Sequence, residues 1–173
     1  MDDKLGDIDE VNAAITHAYF DLGFDGIIVN PMVGWTGGLE PVFKIAKKSG
    51  NGVIVLAYMS NQGATTGFGQ LVLKTARGKP KPQYEIFAEK AEEWKADGVV
   101  VGATRPEIVR KVRLALTNGV DIYSPGIGAQ GGKVRAASRA GSNFLIVGRS
   151  ITDARDPESV AHSLARESTV RYS

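Results

Sequence analysis

Apolar positions along the chain follow two alternating periods. From Ile8 to Leu22, the residues Ile8, Val11, Ala14, Ile15, Ala18, Tyr19 and Leu22 recur every three or four positions, the spacing of one apolar helix face, and Gly23 ends the run. Gly26-Ile27-Ile28-Val29 follows, short, β-branched and continuous, as a parallel strand covered on both faces reads. After a loop with Pro31, Gly34, Gly37 and Gly38, the spacing predicts a helix over 39–48 stopped by Gly50, then a buried strand over 53–57. The pair recurs with a helix face through Tyr84, Phe87, Ala88, Ala91 and Trp94 and a strand at 99–101. A helix through Ile108, Val109, Val112 and Leu116 then leads to a strand at 120–123. Residues 133–141 predict a short helix, 144–147 a strand, and 157–167 a closing helix with Asp156 as N-cap and Pro157 in its first turn.

Strands of four or five residues alternating with helices predict an α/β fold with parallel strands and right-handed crossovers, in about five units. An open doubly wound sheet and a closed barrel share this alternation. No glycine-rich dinucleotide fingerprint follows the first strand, whereas polar or glycine-bearing clusters follow nearly every strand: Asn30-Pro31, Ser60-Asn61, Ala103-Thr104, Ser124-Pro125-Gly126 and Gly148-Arg149-Ser150. A (β/α)8 TIM barrel builds its active site there, so the expected fold is a single domain of that type over residues 1–173. Composition agrees, with 43% hydrophobic and 23% charged residues in the ordinary globular range. A net charge of +2 supplies no basic field that would single out nucleic acid. The absence of cysteine removes disulfides, thiolate metal sites and cysteine nucleophiles, and fits a reducing compartment. No stretch approaches roughly eighteen consecutive apolar residues, and Met1-Asp2-Asp3-Lys4 is acidic where a signal peptide is basic; the expectation is a cytoplasmic protein without a membrane partner.

Chemistry concentrates at two places. Ser124 to Gly132 reads SPGIGAQGG, whose glycines at 126, 128, 131 and 132 let the backbone curl and turn its amides toward an anion, with Gln130 adding a side-chain amide. Past the next strand, Gly148 permits close approach and Arg149 offers a guanidinium fork for phosphate oxygens. Each loop alone is also readable as a tight turn with a surface arginine. Two consecutive late loops together match the common barrel phosphate site and favour a small-molecule substrate carrying a phosphomonoester. At the other end, Asp2, Lys4 and Asp7 directly precede the first helix, and alternation puts Asp2 and Lys4 on one side of an extended segment. A carboxylate beside an ammonium keeps it charged and oriented, which suits a lysine that protonates a developing carbanion. Facing a substrate carboxylate, the same aspartate would destabilise it before CO2 is lost. The scheme needs neither metal nor other cofactor. The alternative is a solvated cluster in which Asp7 and Glu10 form a capping box.

The Asp2-x-Lys4-x-x-Asp7 pattern, followed by Ile8, resembles the signature of the orotidine 5'-monophosphate decarboxylase superfamily, and SPGIGAQGG with Gly148-Arg149-Ser150 resembles its archaeal type. The three motifs occur in order across nearly the whole chain. The resemblance implies a (β/α)8 barrel that converts orotidine 5'-monophosphate to UMP and CO2 in de novo pyrimidine biosynthesis without a cofactor. It implies Lys4 as proton donor to the pyrimidine carbon, Asp2 as the carboxylate beside it, and Asp7 reaching into the neighbouring subunit's site of a homodimer with shared active sites. By the same resemblance Ser60 contacts the pyrimidine, Pro125 lines the base pocket, and Gln130, Gly148 and Arg149 hold the phosphate. Two alternatives stand beside it: the sugar-phosphate decarboxylase and aldolase branch of the superfamily, which works with magnesium and against which SPGIGAQGG argues, and a non-catalytic fragment retaining a phosphate-binding half-site.

The chain also departs from the family pattern. The family carries two βα units and most of a third strand ahead of its acid-lysine-acid motif, contributing an aspartate and a lysine to the site; here Met1 stands where that third strand's interior is expected. About five full strands remain, too few to close such a barrel unaided, and an open sheet is expected to expose apolar edges that favour association. Val11 stands where archaeal relatives tend to carry threonine, and Asn61-Gln62 replaces a histidine-proline pair. The stretch 61–79, with Gly63, Gly67, Gly69 and Gly78, is expected to be a long connection, either a mobile cover over the substrate or a surface or subunit-contact loop. Lys79-Pro80-Lys81-Pro82 reads as a solvated approach to the next helix, and His17, His162, Trp35 and Trp94 as packing or surface residues.

Overall fold

The β-branched runs become parallel strands of one sheet, and the longer amphipathic runs become the helices over it. This structure is a computed structural model that describes residues 1–73, 78–117 and 119–169. Helix α1 (Asp9–Asp21) leads to β1 (Gly26–Val29), and α2 (Glu40–Ser49) to β2 (Gly52–Tyr58). A short helix α3 (Ala64–Gly67) and a small antiparallel hairpin of β3 (Leu71–Val72) and β4 (Lys81–Pro82) come next. Then α4 (Gln83–Glu93) leads to β5 (Gly98–Val101), α5 (Pro106–Ala115) to β6 (Asp121–Pro125), and α6 (Val134–Ala140) to β7 (Phe144–Ile146), followed by α7 (Arg149–Thr152) and α8 (Pro157–Thr169).

Strands β1, β2, β5, β6 and β7 pair in that order, all parallel, as expected for βα units. Residues Met1 to Leu5 run along the free side of β1: the Ile28 N–H donates to the Met1 carbonyl at 2.9 Å, the Leu5 N–H to Ile28 at 3.0 Å and the Asn30 N–H to Leu5 at 2.8 Å. The charged opening segment is therefore a rudimentary parallel strand, joined through Leu5 and Val29 at the C-terminal end of β1.

Alternation sorts the strand side chains onto two faces. Ile27, Val29, Val53, Val55, Val99, Val101 and Ile122 point toward the helices and form the main core with Leu39, Val42, Phe87 and Val109. On the opposite face Ile28, Leu56 and Val100 form a smaller cluster against Ile54, Met59, Phe68 and Tyr123. At β7 that face opens to solvent through Phe144 and Ile146, as the sequence leads one to expect of an open sheet. The Tyr123 ring stacks on Phe144 with centroids 4.8 Å apart. Gly98 makes room for it, since a Cβ there would lie 2.6 Å from the Tyr123 ring and 2.9 Å from the Asp121 carbonyl oxygen.

Three expectations need correction. The buried side of α1 is not the apolar stripe: Ile8 and Leu22 are 58% and 75% exposed, Val11, Ala14 and Ala18 are exposed as well, and Asn12 and Thr16 are fully buried. Of that stripe, Ile15 and Tyr19 pack on the core. Polar burial is tolerated because the groups are bonded, Thr16 Oγ1 donating to the Asn12 carbonyl at 2.7 Å and the Asn12 amide meeting two backbone carbonyls. Second, the 61–79 stretch is not simply a loop. Ala64 of α3 is buried, the Phe68 ring lies 6.1 Å from both Tyr58 and Phe87, and the Tyr84 and Gln83 N–H groups donate to Phe68 and Gln70. Residues 74–77 of the stretch lie outside the described residues. Third, Lys81-Pro82 is paired as β4 besides leading into α4, and Lys81 is ion-paired with Glu89. Trp35 and Trp94 pack as expected, with centroids 5.5 Å apart, and Asp156 Oδ1 accepts from the Ser159 N–H at the start of α8.

The Gly98 contact yields a stability test. Gly98→Ala forces Tyr123 or the β6 backbone to move, and we expect a loss of about 1–3 kcal/mol, as for overpacked cores, read from the denaturant midpoint. A variant as stable as the parent would show that the Tyr123 ring does not occupy this face.

Candidate active site

Asp2 and Lys4 meet as the sequence suggests, by a different route. Lys4 Nζ lies 2.8 Å from Asp2 Oδ1. Lys4 itself is not extended: its φ of 55° puts it in the left-handed region, uncommon for a residue with a Cβ and costing on the order of 1–2 kcal/mol. The ion pair is partly solvent-exposed and worth at most about 1 kcal/mol, so it does not by itself offset the strain. The ladder bonds of Met1 and Leu5 on one side and those of Asp7 on the other fix the segment. Lys4 is half-buried and shares this left-handed conformation with one other non-glycine residue among those described, Lys95 with φ of 58°. The Asp7–Glu10 capping box does not form: Asp7 Oδ1 accepts from the Ile8 N–H at 2.7 Å, and the Asp7 N–H donates to Asn12 at 3.0 Å.

The loop after β6 is tightly curled. Gly126, Gly128 and Gly131 have φ of 95°, 71° and 89°, conformations that disfavour any side chain, and a Cβ on Gly132 would lie 2.6 Å from the Gly126 carbonyl oxygen. The curl closes on itself, with the Gly128 N–H donating to Gly132, Gly131 to Gly128 and Gly132 to Gly126. Ser60, after β2, lies against it: a Cβ on Gly126 would meet Ser60 Cβ and Gln130 Oε1, each at 2.8 Å. Gly102, after β5, lets the Ser60 backbone pass, since a Cβ there would be 2.6 Å from Ser60 Cα, and Thr104 Oγ1 donates to the Ser60 carbonyl at 3.0 Å. Pro125 accepts the Ala103 N–H at 2.8 Å. From the neighbouring loop Ser150 reaches over Gly128 and accepts the Ala129 N–H at 3.1 Å.

The structure therefore gathers Ser60, Pro125, Gln130 and the Gly148–Ser150 turn into one cluster at the C-terminal ends of β2, β6 and β7. Asp2, Lys4 and Asp7 stand at the same end but beside β1, at the opposite edge of the five-stranded sheet. Two details differ from expectation. Gly148-Arg149-Ser150 is not only loop, because Arg149 opens α7. Nor does Gly148 approach another part of the chain: a Cβ there would have no atom within 4 Å, so packing within the chain does not require the glycine, and Arg149 is exposed. Thr104 falls in the Ala103-Thr104 cluster read from the sequence, whereas Asn12 and Gly102 were not singled out. The only signal for these two was a polar residue inside a helix and a glycine directly after a strand. On the inner face, burial first and then Asp121 and Asp97 raise the Tyr123 phenol above its ordinary value. Among the described residues no group of three or more histidine, aspartate or glutamate side chains is placed to hold a metal ion, and no helix is long and apolar enough to cross a membrane.

The chain is similar to known proteins over nearly its whole length. The model of the orotidine 5'-phosphate decarboxylase / HUMPS family matches residues 1–164. The orotidine 5'-phosphate decarboxylase of Pyrococcus abyssi is 37% identical over 164 residues, 95% of this chain and 70% of the relative. That of Methanosarcina mazei is 38% identical over 168 residues, 96% of this chain and 70% of the relative. Among solved structures, the orotidine 5'-monophosphate decarboxylase of Methanocaldococcus jannaschii complexed with inhibitor BMP superposes with a TM-score of 0.83 at 29% identity, covering 98% of this chain and 72% of the other. The Pyrococcus horikoshii enzyme gives 0.79 at 33% identity, covering 98% and 73%.

The loop geometry can be tested without a ligand. Ser150→Ala removes the bond to the Ala129 N–H, which we expect to cost about 0.5–1.5 kcal/mol and to speed hydrogen exchange at that amide while the strand amides stay protected. Unchanged exchange at Ala129 would contradict the bridging of the two loops.

Proposed function

The chain belongs to the orotidine 5'-phosphate decarboxylase / HUMPS family, and we infer from this that its reaction is the conversion of orotidine 5'-monophosphate to UMP and CO2. The observation that carries the residue assignment is the Lys4 ammonium held 2.8 Å from Asp2 on a strained rim segment. When the bond between the pyrimidine ring and its carboxylate breaks, the electron pair stays on the ring carbon and CO2 leaves. Lys4 then gives that carbon a proton, a C–H bond forms, and the resulting amine is reprotonated from solvent. Asp2 aims the Lys4 ammonium, and its charge beside the substrate carboxylate disfavours the ground state. No step is routed through a cofactor.

Ser60, packed between Gly102 and Gly126, faces the pyrimidine, and Pro125 borders the base. The phosphate is held by Gln130 and by Arg149, with the open space at Gly148 letting an oxygen approach the backbone. This end supplies binding energy that orients the reacting carbon at the other. Asp7 contributes to the site of a second copy in a homodimer. The exposed stripe of Ile8, Val11, Ala14, Ala18 and Leu22 on α1, adjoining Asp7, supports that pairing because apolar surface of this kind gains by being covered.

Two measurements test the reading. Release of labelled CO2 from carboxyl-labelled orotidine 5'-monophosphate is expected from the purified chain. Lys4→Ala should lower kcat by at least about a hundredfold while UMP still binds, whereas Arg149→Ala should act mainly through KM, by about tenfold or more. Activity undiminished in Lys4→Ala removes it as proton donor. For the assembly, light scattering should give a dimer mass that Val11→Asp lowers toward the monomer; a monomeric parent chain contradicts the shared site.

A further inference from the structure

The rim segment carrying Asp2, Lys4 and Asp7 is held at two points. Its start is tied to β1 by the ladder, and its end is tied by one side chain, Asn12, which is completely buried in α1. Asn12 Oδ1 accepts from the Asp7 N–H at 3.0 Å, and Nδ2 donates to the Asp7 carbonyl at 2.6 Å and to the Gly38 carbonyl at 3.0 Å. One amide thus grips both polar groups of Asp7 and fastens them to the turn after β1. Gly38 is itself fixed, since a Cβ there would stand 3.0 Å from the Val33 carbonyl oxygen.

We propose that Asn12 is a positioning residue for Asp7: it clamps the Asp7 backbone against Gly38 so that the carboxylate leaves the rim in one direction. A plain capping role does not account for the geometry. A side chain in the first turn that reaches back to an N–H caps a helix, but the bond to Gly38 spans 26 residues and ties α1 to a different segment, the turn that leads into α2. Nor is hydrophobic burial the reason, because a side chain with three hydrogen bonds has been placed on the inward face while the valine beside it is exposed. Aiming matters at Asp7 because, among the described residues, one of its oxygens is engaged, locally, by the Ile8 N–H at 2.7 Å.

The ligand part of the inference rests on the decarboxylase reading, so the experiment separates the two. Asn12→Ala is compared with the parent chain, each also with Asp7→Ala, by calorimetric titration with UMP and with inorganic phosphate and by hydrogen exchange at the Asp7 amide. Asn12→Ala should speed that exchange, weaken UMP by about tenfold, leave phosphate affinity within about twofold, and add no further loss when Asp7 is already alanine, because effects routed through one group are not additive. Asn12→Ser, which keeps a hydroxyl in the same space, replaces the alanine variant if the latter does not fold, with the same expectations. Equal losses for UMP and phosphate, or additive losses with Asp7→Ala, would mean a general loosening and overturn the proposal, as would unchanged UMP affinity. If the parent chain bound phosphate but not UMP, the nucleotide reading would fall. The clamp would then be judged on exchange alone, and an Asp7 amide no faster in Asn12→Ala would refute it.

Discussion

Because all five main strands run parallel, every one of them hands the chain to its following loop at the same end of the sheet. Residues far apart in sequence, such as Leu5, Ser60, Ala103, Pro125 and Arg149, are brought to one rim by nothing more than strand direction and right-handed crossovers. The sheet's ladder bonds also reach the opening segment through Met1 and Leu5. The position of Lys4 therefore depends on the register of β1, and the positions of Ser60 and Gln130 on the registers of β2 and β6.

Within that frame the rim is made rigid by close approach rather than by large side chains. Glycines at 102, 126, 128 and 132 stand where a Cβ would collide with backbone or with Ser60 and Ser150, so the loops after β2, β5, β6 and β7 interlock with little freedom. Hydrogen bonds donated by Thr104 and by the loop's own amides, one of them accepted by Ser150, tie these loops together. A rim preorganised in this way needs no reordering to present its amides, which lowers the entropic cost of binding. The strain at Lys4 belongs to the same economy of structure: neighbouring bonds over-determine a conformation that the lysine alone disfavours.

The comparisons show the family, and the arrangement of residues at the rim is a separate observation, made from the structure alone. The matched length, about 70% of the curated relatives, coincides with a sheet whose order ends at β1 on one side and β7 on the other. The face opposite the main core is closed by Ile28, Leu56 and Val100 in the middle and open at Phe144 and Ile146 on β7.

The sequence by itself determined the element order, the parallel α/β class and the two chemical ends, because strand and helix periods and glycine-rich turns are local properties of the backbone. It also located Asp2 beside Lys4 and Gln130 beside the curled loop, since these neighbours are close in sequence. It missed the buried face of α1, because periodicity reports where apolar residues lie on a helix and not what the helix is set against; Asn12 and Thr16 could be buried once their hydrogen bonds had partners at Asp7, Gly38 and within the helix. Only the tertiary structure decided that Lys4 is left-handed, that Gly102 passes under Ser60, that Ser150 bridges two loops, and that 61–73 is partly folded against Tyr58 and Phe87. Each of these depends on contacts between segments brought together by the sheet, which no local pattern encodes.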